Sequence, residues 1–230
     1  MGDLFNKLFK SKKNRYLNLL LVILPFLILI AVFGYKTVDS VKNLVPGEKG
    51  STVRKDTEDI EEYDYHLRHN ATALQKELFK ELDELLAQDP QDEQAIAESI
   101  AKNYVADFYT WTNKEGQYDV GGMYYVFSDS RYNIYMQARD TYYHYLSTFI
   151  NEYGAENLLE VTSVNVESSS AGESFQDVFG RTYPAWYVRV SFDYADHPKF
   201  PFNYFFKVVN ILVVKRDNGR FEIAQAYGDE

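Results

Sequence analysis

The chain has 230 residues, a formal net charge of -10 and no cysteine. The missing cysteines exclude disulfides and thiolate chemistry. The acidic balance argues against nucleic-acid binding, which requires clustered Lys and Arg. Residues 1–15 depart from that balance: they carry a charge of +4 and leave -14 for the rest of the chain. We therefore predict a basic cytoplasmic tail at residues 1–15 that meets anionic lipid headgroups.

An uncharged segment from Tyr16 to Tyr35 follows this tail. As a helix of about 20 residues it would span a hydrocarbon core of about 30 Å. Pro25 lies at its centre, where membrane helices tolerate proline. The basic flank predicts a transmembrane helix whose N-terminus is cytoplasmic and whose C-terminal domain is extracytoplasmic, in the cell membrane. A cleaved signal peptide, which usually has a shorter apolar region, and a buried core helix are the alternatives.

Two segments separate the predicted anchor from a folded domain. Residues 36–56 contain the stretch VPGEKGST without periodicity and are predicted to be a linker. Residues 57–88 are predicted to form an amphipathic helix, which either packs on the domain or forms a coiled-coil stalk. Its apolar positions, three or four residues apart, are Leu67, Ala71, Leu74, Leu78, Leu82 and Leu85.

Residues 91–230 are predicted to be an α+β ectodomain in which helices precede a sheet. Asp92-Glu93 opens a helix whose apolar residues continue to Trp111, and a second, long helix is predicted from Arg131 to Tyr153, closed by Gly154. Beyond Gly154 the apolar period changes to two. The strands are expected around residues 159–166, 183–194, 202–214 and 221–226, with SSSAGES as a loop and Asp217-Asn218-Gly219 as a hairpin turn. They predict a four-stranded antiparallel sheet.

The sequence has no nucleophile elbow, phosphate loop, dinucleotide fingerprint or HExxH motif. His66 and His69 are three residues apart and would share a helical face, but no further ligand completes a zinc site. We therefore predict no catalytic residue, metal or cofactor. Aromatic residues are more informative, because an exposed tyrosine favours protein interfaces. The interface candidates are Tyr124, Tyr125, Tyr135, Tyr143, Trp186 and Tyr187.

A basic tail, one membrane span, a linker and then helices before a sheet resemble the bitopic assembly factors of type IV secretion and conjugation, the VirB-eight-like family with its Gram-positive relatives. The likeness covers residues 94–226, through AIAESIAKNYVADFYTW, YDVGGMYYVFSDSRYNIYMQ, LLEVTSVNVES and YPAWYVRVSFDY. The Asn-Pro-x-Gly turn of some Gram-negative members is replaced by HPKFP. The resemblance implies a curved, cone-like sheet of the nuclear-transport-factor-two-like or cystatin-like type. It also implies a dimeric or trimeric scaffold that contacts other membrane-channel subunits.

Two functions follow from this sequence. The first is a membrane-anchored, non-enzymatic scaffold of a bacterial transfer channel, which acts through protein–protein contacts. The alternative is a small-ligand-binding protein or an isomerase-like enzyme of the same fold class, in which His144 and Asp193 would form an acid–base pair inside the cone.

Overall fold

Helices cover one face of a four-stranded antiparallel sheet in the computed structural model of this chain, which describes residues 59–200 and 204–228. The predicted tail, the Tyr16–Tyr35 span and the 36–56 linker lie outside the described residues. No helix within the described ranges is both long and apolar enough to cross a membrane. The elements in order are β1 (Asp59–Ile60), β2 (Tyr65–His66), α1 (Ala73–Leu86), α2 (Glu93–Phe108), α3 (Arg131–Asp140), α4 (Leu146–Tyr153), β3 (Val161–Gln176), β4 (Thr182–Tyr194), β5 (Val208–Lys215) and β6 (Phe221–Gly228).

The helix predicted within residues 57–88 is shorter than its apolar pattern indicated. Residues 59–66 form the β1–β2 hairpin instead, and α1 begins only at Ala73. Thr72 sets this start, because its hydroxyl accepts a hydrogen bond from the Gln75 N–H while the Gln75 side chain accepts one from the Thr72 N–H. Leu78 and Leu82 are buried, and α1 packs against α2.

Helix α2 is the central helix of the described fold, and its predicted start is confirmed. The Asp92 side chain caps it by accepting a hydrogen bond from the Ala95 N–H. Ile96 and Ile100 are completely buried, and α2 contacts all four strands of the sheet. The helix ends at Phe108, before the predicted apolar face reaches Trp111.

The long helix predicted from Arg131 to Tyr153 is wrong in one respect: residues 141–145 interrupt it and divide it into α3 and α4. Two adjacent tyrosines explain the break. Tyr143 is fully buried, and the Tyr142 ring packs against Phe108, Tyr109 and Trp111. Neighbouring side chains on a helix point about 100° apart, so an unbroken helix would turn one of them away from the core.

The sheet has the strand order β3-β4-β5-β6, and every pair is antiparallel as predicted. The expected loop SSSAGES is wrong, since β3 continues through it and pairs with β4 as far as Gln176. The alternation in β4 is confirmed: Trp186, Val188, Val190 and Phe192 are buried, and the intervening side chains are not. The Asp217-Asn218-Gly219 turn joins β5 to β6.

A segment before α3 extends the sheet by a short distance. Val126 forms a parallel bridge with Ile223 of β6. The Ile223 N–H donates to the Tyr125 carbonyl at 2.7 Å, and the Phe127 N–H donates to the Ile223 carbonyl at 2.9 Å. Phe127 then packs with Tyr183 in a small second core cluster, separate from the main one.

Candidate protein-interaction groove

An open groove lies between the C-terminal half of α2, helix α3 and strand β6, and we call it the α3–β6 groove. Its volume is 410 Å³. It is lined by Tyr104, Phe108, Tyr109, Val126, Ile134, Gln137, Ala138, Thr141, Ile223, Ala224, Gln225, Ala226 and Tyr227. Tyr227 is 51% exposed. The groove is therefore accessible, and its apolar and aromatic side chains are accompanied by a similar area of exposed polar atoms.

Strand β6 forms one wall of this groove, and the described segments leave part of its outer edge uncovered. Residues 125–127 pair with this edge only at Ile223. Ser128 then turns the chain away, because its N–H and hydroxyl both donate to the Glu222 carboxylate, at 3.1 and 3.2 Å. In the described ranges, no backbone hydrogen bond joins the outer edge of residues 224–228 to another segment. This part of β6 is an unpaired strand edge beside an apolar wall.

Among the described residues, no Asp, Glu, His, Lys or Arg side chain lines the groove. Its titratable groups are tyrosine hydroxyls. Burial raises the pKa of Tyr104 well above its ordinary value and raises that of Tyr109 to about 12. Both hydroxyls are protonated near neutral pH, so neither can serve as a general base there. The groove can offer apolar contact, amide hydrogen bonds from Gln137 and Gln225, and a strand edge.

One cluster of buried charges lies outside the groove and holds the loop after α2. Lys114, whose side chain is completely buried, donates to Asp107 at 2.8 Å. Asp107 also accepts from the Gly122 N–H at 2.6 Å, and Arg68 bonds Asp119 at 2.7 Å. Burial favours the neutral form of Asp107, but Lys114 and Arg68 outweigh it and hold its pKa below the usual range. Each of these charged side chains has a partner of opposite charge, so the cluster fixes the loop after α2 in place.

A second cluster ties the β1–β2 hairpin to β6. Arg220 donates to Asp64 at 2.9 Å and to the Tyr124 carbonyl at 2.5 Å, and it lies over the Tyr65 ring. Its Nε lies 3.4 Å from the buried Glu222 carboxylate. The Tyr65 hydroxyl in turn donates to the Phe221 carbonyl at 2.6 Å. These contacts fix the hairpin to the strand whose far end forms the groove.

The six sequence-predicted interface candidates do not line the groove. Tyr125, Tyr143 and Trp186 are core residues, with exposures of 3%, 0% and 6%. Their partners lie in the core. The Tyr143 hydroxyl donates to the Phe108 carbonyl, and Tyr125 stacks on Tyr65. The Trp186 ring packs at a tilt against Phe221. The other three reach the surface: Tyr124 is 43% exposed, and Tyr135 and Tyr187 are partly exposed.

The histidines also lie elsewhere than the sequence indicated. His66 is in β2 and His69 follows it outside any helix, so they share no helical face. The His66 ring nitrogens lie 2.8 Å from Asp59 and 3.0 Å from Asp64. His144 is exposed and its ring packs on Tyr145. Asp193 lies on β4 near Lys207; no hydrogen bond or ion pair of the described residues joins it to His144.

The groove was not predicted from the sequence because its lining segments lie about 120 residues apart along the chain. One signal was available: EIAQAY in β6 places small residues where a buried strand would carry larger ones. No protein-family model, curated protein or solved structure matches this chain.

Proposed function

We propose that this protein is a membrane-anchored, non-enzymatic scaffold whose C-terminal domain docks a partner protein in the α3–β6 groove. The observation that carries the proposal is an open 410 Å³ groove whose described lining has apolar and amide side chains and no charged group. It lies beside residues 224–228 of β6, whose outer edge pairs with no described segment. An enzyme site would be expected to hold titratable groups matched to its chemistry. An apolar surface with exposed aromatic residues is typical of protein contacts instead.

The sequence resemblance supplies the setting of the proposal. The basic tail and apolar span would hold the domain at the membrane, and the partner would be another subunit of a type IV secretion or conjugation channel. Homo-oligomers of two or three copies would present several grooves to one assembly.

Site-directed photo-crosslinking of the full-length protein in its native membrane tests this proposal. A benzophenone amino acid replaces Tyr227, which lines the groove, or Phe179, which is 75% exposed at the tip of the β3–β4 hairpin. We expect position 227 to give one discrete product, identified by mass spectrometry as a membrane-channel subunit or a secretion ATPase. Products that are equal at both positions, or none at position 227, would refute docking in the groove.

A further inference from the structure

We propose that the α3–β6 groove binds an uncharged, extended peptide segment of the partner, which adds as a strand to the unpaired edge of β6. This inference rests on the proposed function and specifies how the partner is held. An uncovered strand edge presents backbone N–H and C=O groups in a row, and an extended backbone is the partner that satisfies such a row. The chain itself uses this edge in that way: residues 125–127 already pair with Ile223.

The position of the incoming strand follows from where the chain's own segment stops. Residues 125–127 occupy the edge as far as Ile223, and Ser128 is drawn off by Glu222. The uncovered edge that lines the groove is Ala224–Tyr227. Ala224 lies in a bulge, where the pairing with β5 shifts by one residue. At about 3.3 Å per residue, the regular part offers about 10 Å, which suits a segment of about three or four residues. The incoming strand would continue the line of residues 125–127.

The walls of the groove determine which side chains that segment carries. Successive residues of a strand point to opposite faces. One set would point inward toward Phe108, Ile134 and Ala138, which are apolar, and the other set would point to solvent. Because no described residue of the lining is ionised, a charged residue directed inward would lose its hydration without gaining a partner there. We therefore infer an alternating pattern with small or medium apolar residues at every second position.

Two matched variants locate the binding event. Ala226 is exposed on β6 and lines the groove, and Ser170 is exposed on β3, the opposite edge strand of the same sheet. Ala226→Lys places a charge beside the proposed strand, and lysine on an edge opposes strand addition. Ser170→Lys introduces the same charge on the other edge. Both side chains are exposed, so both variants should fold, which the fluorescence of the buried Trp111 and Trp186 will report.

The probe is a library of random nine-residue peptides displayed on phage, selected against the full-length protein in detergent micelles. Selected peptides are synthesised, and their affinities for the wild type and both variants are measured by fluorescence anisotropy. We expect alternating apolar sequences that bind the wild type and Ser170→Lys equally, and Ala226→Lys at least about tenfold more weakly. Each peptide is then N-methylated at single positions, which removes one backbone donor without changing a side chain.

The N-methylation pattern decides the mode of binding. Strand addition predicts losses of about three- to tenfold at alternate positions, where the N–H faces β6, and little change between them, because a neutral hydrogen bond contributes about that factor. Binding that depends on Ala226 but is indifferent to N-methylation, or apolar residues spaced three and four apart, would refute strand addition and leave groove docking intact. Selected peptides that ignore Ala226→Lys, or no selected peptide at all, would overturn this inference. Groove docking itself is then decided separately by crosslinking at Tyr227.

Discussion

The buried Asp107–Lys114 pair should be a major contributor to the stability of the described domain. The substitution Asp107→Asn keeps the shape of the side chain and removes its charge, which leaves the fully buried Lys114 ammonium without a carboxylate. Removing one partner of a buried ion pair costs about 3–5 kcal/mol. Lys114 keeps a hydrogen bond to Asn113 at 2.7 Å, and Arg68 keeps Asp119. We therefore expect the lower end of that range, about 3 kcal/mol.

Urea unfolding followed by tryptophan fluorescence measures this loss. The whole chain has two tryptophans, and both Trp111 and Trp186 are buried in the described domain, so the signal reports this domain even in the full-length protein. With a urea dependence of about 2–3 kcal/mol per molar, the midpoint should fall by about 1–1.5 M. The exposed pair Lys80–Glu84 gives the control, because Glu84→Gln should leave the midpoint almost unchanged.

A double-mutant cycle provides the refutation. Lys114→Met removes the other partner, and the double variant Asp107→Asn, Lys114→Met should be more stable than the sum of the two single losses by about 1–3 kcal/mol. The reason is that the second substitution removes the charge that the first one stranded. Additivity within about 0.5 kcal/mol would show that the two groups are not energetically coupled. That result would contradict a stabilising role for the Asp107–Lys114 pair.

Three further predictions concern single side chains. Desolvation lowers the pKa of His66, but hydrogen bonds to Asp64 and Asp59 outweigh it and raise that pKa above about 6.5. The stabilisation of the fold by protonated His66 should be complete below about pH 6.5 and be lost as the pH rises through the raised pKa. This pH dependence of the free energy of unfolding should vanish in His66→Phe. Tyr143→Phe removes a donor to Phe108 and an acceptor for the Gly121 N–H, so it should cost about 1–3 kcal/mol, whereas a hydroxyl deletion at the exposed Tyr145 should have no effect. A methyl group added in Gly122→Ala, at φ +75, would approach the Tyr104 ring to 2.7 Å, so the urea midpoint should fall.

Local patterns predicted the fold where a residue's environment depends on its near neighbours. The alternation around Val188 and the turn at Asn218-Gly219 were sufficient to place β4 and the β5–β6 hairpin. The SSSAGES segment was predicted to be a loop because its side chains are small and polar. It is a strand because six of its residues pair with β4, among the 13 pairs that join β3 to β4. Backbone pairing with the next strand leaves no periodic trace in side-chain type.

The candidate site could not be predicted for a related physical reason. Tyr143 was an interface candidate on a predicted continuous helix, but the break at residues 141–145 turns it fully into the core. The groove depends on the separation between α3 and β6, which is set by that break and by the turn at Ser128. This separation is not encoded in the periodicity of any one segment.

The distribution of charge connects the stability of the domain with its proposed role. Asp107 and Glu222, two largely buried carboxylates of the described residues, serve the loop after α2 and the start of β6, and both lie outside the groove lining. Glu222 has two effects, because it draws Ser128 away from the edge and thereby ends the pairing of residues 125–127 at Ile223. Replacing this carboxylate by Gln would weaken that hold without removing the apolar wall. Ser128 could then pair further along β6, so that the chain's own segment competes with the proposed peptide. The affinity of Glu222→Gln for the selected peptides should therefore fall, although no residue that lines the groove has changed.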